Sequence, residues 1–207
     1  MTDEILEGIE HFRSGYFTEH REDYEHLVSE GQHPRTLFVG CSDSRVSPQL
    51  LTGAAPGELF VLRNVGNIIP PPEKSGGPYG VSAAIEYAVE ILEVEEIIVC
   101  GHSHCGAIRA LYDPPARASA NLRDWLELAG PARVSGPLTP ELLRETERRS
   151  VALQLERLMA FPAVRRRVEN GSLELHGWHY VIEEGEVHIL DLSKGKFIPH
   201  RPRVAER

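Results

Sequence analysis

The sequence predicts an α/β protein built on a parallel sheet, and three observations carry that reading. Residues 36–40 (TLFVG), 58–62 (ELFVL) and 96–100 (EIIVC) are short, apolar and β-leaning, as buried strands are. Residues 81–92 (VSAAIEYAVEIL) have a helical pattern and separate the second run from the third. Segments bearing Cys, His, Asp and Arg follow the first and third runs, at the carboxyl ends of strands, where open parallel sheets place their functional loops.

Taken in order, Ile5, Ile9, Phe12 and Tyr16 recur at helical spacing, and Leu27 extends the apolar pattern among charges. The N-terminus therefore reads as amphipathic helix whose stripe needs a partner surface. Gly76, Gly77, Pro78 and Gly80 open the helix of 81–92; their spacing fits neither a dinucleotide nor a P-loop cradle, and turn geometry accounts for them. Residues 113–138, around Trp125, read as irregular with one short helix. Thr139 is a suitable N-cap and Pro140 a suitable first residue for a helix reaching about residue 160, with Leu142, Val151, Leu155 and Leu158 on its apolar side and Pro162 soon after. Residues 173–182 and 186–192, separated by Glu-Glu-Gly, read as a hairpin or neighbouring strands.

At 207 residues, 41% hydrophobic and 26% charged, the chain reads as one globular domain, 1–207, with residues 1–30 as an N-terminal helical arm. A formal net charge of −9 argues against nucleic acid or an anionic membrane as partner, since both are captured by clustered Lys and Arg. Arg165, Arg166, Arg167, Arg201, Arg203 and Arg207 form only short clusters and read as solvated faces. No apolar run approaches the roughly 18–20 residues that span a bilayer. The first residues lack a basic segment followed by an apolar one, so a cytoplasmic protein is expected. Three cysteines cannot complete a disulfide framework and point instead to metal or redox chemistry in a reducing compartment.

That chemistry has a pattern. His102 and Cys105 lie three apart directly after a strand, so a helix beginning there would put them on one face. Cys41, at the end of another strand, is the remaining cysteine at a comparable position, and adjacent parallel strands would bring all three together. Two thiolates and one imidazole suit zinc, and three protein ligands leave a fourth tetrahedral position for water, as in a catalytic site that generates a metal-activated hydroxide. Asp43 and Arg45 follow Cys41 at alternate positions; in an extended stretch they would share its side, with Arg45 holding the carboxylate bidentately. Asp43 would then either orient the nucleophile or, in a closed inactive state, become a fourth ligand. Because two thiolates neutralise the metal, its water should be less acidic than in a three-histidine site, where the pKa falls to about 7, and activity should rise toward alkaline pH. Cys100, inside a strand, reads as a core residue, His104 as a surface or supporting residue turned about 100° away from Cys105 on a helix, and His176 and His179 as packed or edge strand residues.

CSDSR at 41–45, PGELFVLRNVGN at 56–67 and GHSHCG at 101–106, with IEYAVE at 85–90 and LHGWHY at 175–180, closely resemble β-class carbonic anhydrases from about Gln32 to Tyr180. The resemblance implies reversible hydration of carbon dioxide to bicarbonate, with one Zn²⁺ per subunit on Cys41, His102 and Cys105. It implies that Asp43 and Arg45 are catalytic and that Gln32, Phe60, Val65, Tyr87 and Gly106 line the substrate pocket. Gln32 would be the amide donor to a substrate oxygen, and Phe60, Val65 and Tyr87 an apolar wall completed partly by a neighbouring subunit. The implied fold is a largely parallel sheet of four or five strands flanked by helices, with N-terminal helices packing on a partner subunit in a homodimer or larger homo-oligomer. A bicarbonate-regulated subgroup uses a Trp, an Arg and a Tyr in a non-catalytic pocket; here Phe38 stands with Arg63 and Tyr180, and the chain resembles the unregulated subgroup.

Three other functions compete. A zinc alcohol dehydrogenase would need a G-x-G-x-x-G segment, which is missing. A carbonyl sulfide or carbon disulfide hydrolase would need the same ligands on the same scaffold. A zinc-carrying assembly or redox-sensing module would use the metal structurally.

Overall fold

The computed structural model describes residues 2–72 and 80–201; Gly76, Gly77, Pro78, Arg203 and Arg207 lie outside them. Three helices lead, α1 (Asp3–Ser14), α2 (Tyr16–Glu19) and α3 (Arg21–Glu30), where the apolar pattern alone suggests one arm. Then follow β1 (Thr36–Cys41), α4 (Pro48–Thr52), β2 (Leu59–Asn64), α5 (Gly80–Glu86), β3 (Glu96–His102), α6 (Gly106–Arg109), α7 (Ala120–Glu127), α8 (Pro140–Leu158), α9 (Pro162–Glu169), β4 (Glu174–Val181), β5 (Glu186–Asp191) and β6 (Lys196–Pro199). α5 covers only half of the expected helix and passes into a π-helical turn at Tyr87–Ile91. Pro162, expected only to follow α8, is the first residue of α9, where its missing N–H costs no bond.

The sheet has six strands in the order β2-β1-β3-β4-β5-β6, not the expected four or five. β2, β1, β3 and β4 are parallel; β5 and β6 turn back antiparallel. The additional strand, β6, is only four residues long and ends in proline, too short to register as a periodic run. β1 pairs with β2 on one side and β3 on the other, so the chain reverses its direction of winding between β1 and β3. Crevices form at the carboxyl end of such a switch point.

Parallel strands buried on both faces need apolar residues on both. Leu37, Val39, Ile97 and Val99 join the main core with Val151, Leu155 and Leu158 of α8. Phe38, Ile98 and Cys100 make a smaller cluster with Leu51, Trp178 and Tyr180. α8 is capped as the sequence suggests, the Thr139 hydroxyl accepting from the Leu142 N–H. It lies so close to the sheet that a Cβ on Gly101 would come within 2.6 Å of Val151, and one on Gly177 within 3.1 Å of the same side chain. α1, in contrast, buries none of its residues, and Ile5, Leu6, Ile9 and Phe12 all remain exposed.

Gly101→Ala is expected to cost about 1–3 kcal/mol through overpacking, read as a lower denaturant midpoint. Adding Val151→Ala should recover part of that loss, so the two changes together should cost less than their separate effects combined.

Candidate metal centre

The switch-point crevice gathers the donors expected from sequence. Cys41 is the last residue of β1 and His102 the last of β3; Cys105 caps the start of α6. Their donor atoms all lie within 4.8 Å of one another, and all three residues are buried. The link from His102 to Cys105 is a turn, not the expected helical face. His104 takes a φ of +56°, in the left-handed region, and this brings Cys105 back toward the strand end.

The donor atoms suit a cation. His102 Nδ1 donates to the Ser103 carbonyl at 2.8 Å. Its buried Nε2 has no hydrogen-bond partner among the described residues. An imidazole whose outer nitrogen is fixed by a carbonyl offers the other as a ligand. Cys41 Sγ accepts the backbone N–H groups of Asp43 and Gly66, each at 3.4 Å. The Cys105 thiol and then the His102 ring hold the Cys41 thiol down at about 4 against the opposing effect of burial. Cys105 keeps its proton, donating it toward the Cys41 sulfur, and sits well above the ordinary thiol range. Burial would depress the His102 ring, but the Cys41 sulfur outweighs it and the net shift is upward. Two sulfurs and an unpartnered imidazole nitrogen in one buried recess therefore fit zinc, whose binding would displace the remaining protons.

Asp43 and Arg45 come together as predicted, though by a different route. The stretch after Cys41 is a turn, not extended: Val46 N–H donates to the Asp43 carbonyl at 3.0 Å and Arg45 N–H to Asp43 Oδ1 at 3.0 Å. An aspartate that caps its own turn is a common solution at such a corner. Arg45 Nε then reaches Oδ1 at 2.9 Å and an Arg45 terminal nitrogen reaches Oδ2 at 2.8 Å, a bidentate pair. These bonds keep the Asp43 carboxyl far below the usual range. The same Arg45 nitrogen donates to the His104 carbonyl at 3.1 Å. Asp43 Oδ2 lies 3.9 Å from His102 Nε2, so the clamped carboxylate borders the ligand cluster. The His104 ring meets Glu183 at 3.3 Å, and Glu183 also takes the Ser103 hydroxyl at 2.6 Å.

The expected pocket residues divide. Val65 precedes Gly66, whose N–H reaches Cys41, and Gly106 follows Cys105, so both are at the site. Phe60 pairs in register with Leu37, four residues before Cys41, about 13 Å along the strand. Tyr87 stays with Phe60, the ring centres 5.8 Å apart. Gln32 lies before β1, toward the sheet end opposite Cys41. Within one chain, Gln32, Phe60 and Tyr87 are therefore not gathered at the ligands.

Arg63 donates to the Cys41 carbonyl at 2.9 Å and the Asp43 carbonyl at 2.8 Å. Phe38 is fully buried, edge-on to Trp178. Glu184, Glu186 and His188 form a second donor group. There Arg148 donates to His188 Nδ1 at 3.0 Å, which places the ring proton on Nε2, facing Glu186 at 3.6 Å, and leaves no free nitrogen for a cation. Sequence reading missed Glu147 on α8, which accepts the Cys105 N–H at 3.0 Å. The available signal was its position four residues before Val151 and eight before Leu155, a carboxylate on the apolar stripe.

A family model described as carbonic anhydrase matches residues 36–187. The carbonic anhydrase of Synechocystis sp. is 43% identical over 97% of this chain and 75% of its own length. That of Pseudomonas aeruginosa is 40% identical over 94% of this chain and 90% of its own length. The solved β-carbonic anhydrase CcaA superposes with a TM-score of 0.88 at 42% identity, covering 97% of this chain and 92% of that one. A tetrameric β-carbonic anhydrase of Sordaria macrospora superposes at 0.78 with 27% identity, covering 92% of this chain and 98% of that one.

Zinc returned to chelator-stripped protein is expected to raise the melting temperature, because a ligand bound only by the folded state stabilises it by mass action. Cys41→Ser should remove most of that rise; an undiminished rise would put the metal elsewhere.

Proposed function

The chain belongs to the β-class carbonic anhydrases, and on that premise we propose how its own residues serve the reversible hydration of carbon dioxide to bicarbonate and a proton. The observation that carries the reading is the cluster of Cys41, His102 and Cys105 beside a carboxylate clamped by Arg45. Zinc held by those three residues would supply a Lewis acid, lowering the pKa of water enough for a nucleophile to form as the pH rises above neutral.

Asp43 does the orienting. Its carboxyl stays ionised, and Arg45 fixes its plane, so Oδ2 keeps a lone pair for the hydrogen of the attacking oxygen. That hydrogen bond would turn the attacking lone pair toward the carbon of CO2. Engagement with Arg45 also opposes a swing of Asp43 into the ligand set, which supports the open, unregulated state implied by the sequence resemblance. Arg63, spent on two backbone carbonyls, supports the same reading. The proton left by each turnover must pass to solvent or buffer.

A homodimer or larger assembly fits this chemistry. Gln32, Phe60 and Tyr87 lie away from the ligands of their own chain, while Val65 and Tyr87 are 45% and 43% exposed, so a second subunit can bring its apolar wall to this crevice. The uncovered stripe of α1 supports an arm laid on that subunit. Three free, buried thiols support the reducing cytoplasm as the setting. Among the described residues no helix is long and apolar enough to cross a membrane.

Stopped-flow hydration from about pH 6.5 to 9, with zinc content measured alongside, tests the mechanism. The rate should follow zinc occupancy, rise with pH and fall by at least about 100-fold in Asp43→Ala. Zinc without hydration, but with turnover of carbonyl sulfide run in parallel, would transfer the chain to the related hydrolases. Sedimentation should return a dimer or larger species, and Phe12→Glu should weaken it by charging the α1 stripe; an unaffected assembly would rule that stripe out as the contact.

A further inference from the structure

α8 presents a buried carboxylate to the loop that carries Cys105. Glu147 is 2% exposed and His179, on β4, is fully buried. Glu147 Oε1 accepts the Cys105 backbone N–H at 3.0 Å, and Oε2 accepts from His179 Nε2 at 3.1 Å. His179 Nδ1 has no partner among the described residues, so the single ring proton of a neutral imidazole belongs on Nε2, directed at the carboxylate. Each oxygen of the carboxylate is thus assigned one donor, one from the ligand loop and one from the sheet.

The loop needs such an anchor. Cys105 precedes a helix of only four residues, so its N–H has no intrahelical acceptor. The preceding residue, His104, holds a left-handed φ of +56°, which a non-glycine residue keeps only where its surroundings fix it. A simple tie between α8 and β4 would be met by the Glu147–His179 bond alone. The second oxygen is turned instead to the backbone of a residue whose sulfur lies in the donor cluster. Burying a carboxylate is costly unless its lone pairs are met, and no other N–H of the ligand loop is bonded to it.

We propose that Glu147, oriented by His179, is a positioning residue for the metal centre, fixing the Cys105 backbone and through it the placement of Sγ relative to Cys41 and His102. The inference rests on the reading of Cys41, His102 and Cys105 as zinc ligands. Groups that hold metal ligands in place commonly change metal affinity or activity on the order of 10- to 100-fold when removed.

The test compares full-length native protein, Glu147→Ala and Glu147→Gln. The readouts are zinc affinity by chelator competition, the visible spectrum of the cobalt(II)-substituted form, and the melting temperature of the metal-free chain. Glu147→Ala should weaken zinc binding on the order of 10- to 100-fold and shift the cobalt d–d bands. Glu147→Gln keeps an oxygen that can accept the Cys105 N–H, while its amide NH2 can donate to His179 Nε2 once the ring proton moves to the unpartnered Nδ1, and it should retain most of the affinity and the native bands. A merely structural role would lower the metal-free melting temperature without moving either metal readout. Native affinity and bands in Glu147→Ala would overturn the proposal, as would a Gln variant as impaired as the Ala variant. If the alanine variant does not fold, Glu147→Met fills the volume without an acceptor and takes its place under the same criteria. Absence of thiolate-to-cobalt charge transfer in the native protein would instead overturn the metal reading itself, and so is distinguishable from failure of the positioning role.

Discussion

The parallel pairing of β1 with β3 is the constraint from which the site follows. Because Gly40 stands opposite Cys100, the chain ends of both strands fall at one level, and Cys41 and His102 arrive there without help from a flexible loop. The switch in winding between the same two strands opens a crevice where their side chains meet. Cys105 and Asp43 are then placed by two tight turns, one through the left-handed His104 and one capped by Asp43 itself. The two turns are joined, since the guanidinium that clamps Asp43 also holds the His104 carbonyl.

α8 has two tasks in this arrangement. Its apolar residues cover one face of the sheet, at a separation set by the missing side chains of Gly101 and Gly177. Its buried polar residues reach outward from that same stripe to loops that lack regular hydrogen bonding. Gln154 accepts the Ile69 N–H at 2.8 Å, and Glu147 accepts that of Cys105. A core that contains such groups trades some hydrophobic burial for geometric definition, provided each donor and acceptor is met.

Much of this was legible in the residues, because the parallel core is written in uninterrupted apolar runs and α8 carries both its cap and its stripe. The donor set was legible because Cys-x-Asp-x-Arg after one strand and His-x-x-Cys after another occur together, where a lone cysteine would read as core. The connecting geometry was not. Helical spacing suggested a shared face for His102 and Cys105, and alternation suggested an extended Cys41-to-Arg45 stretch; both are turns, since each depends on a backbone state that side-chain periodicity does not encode. β6 escaped notice for its length. Glu147 was hidden among the charges of 141–149, where a single buried carboxylate looks like its solvated neighbours. His179 was read as a packed or edge residue; it is packed, and the reading omits its partner.

The late position of α8 and β4 in the chain bears on how the protein is made. Cys41, His102 and Cys105 all precede α8 and β4 in the chain, and so are made before them. The nascent chain therefore displays a complete set of soft donors while the sheet still lacks its fourth parallel strand and the helix that covers it. Metals that bind thiolates more avidly than zinc can compete at that stage, because affinity alone does not favour zinc and selectivity comes from imposed geometry. The bond from Glu147 on α8 to the Cys105 N–H, and the His179 bond on β4 that supports it, are thus in place only once the second half of the chain has folded back onto the first.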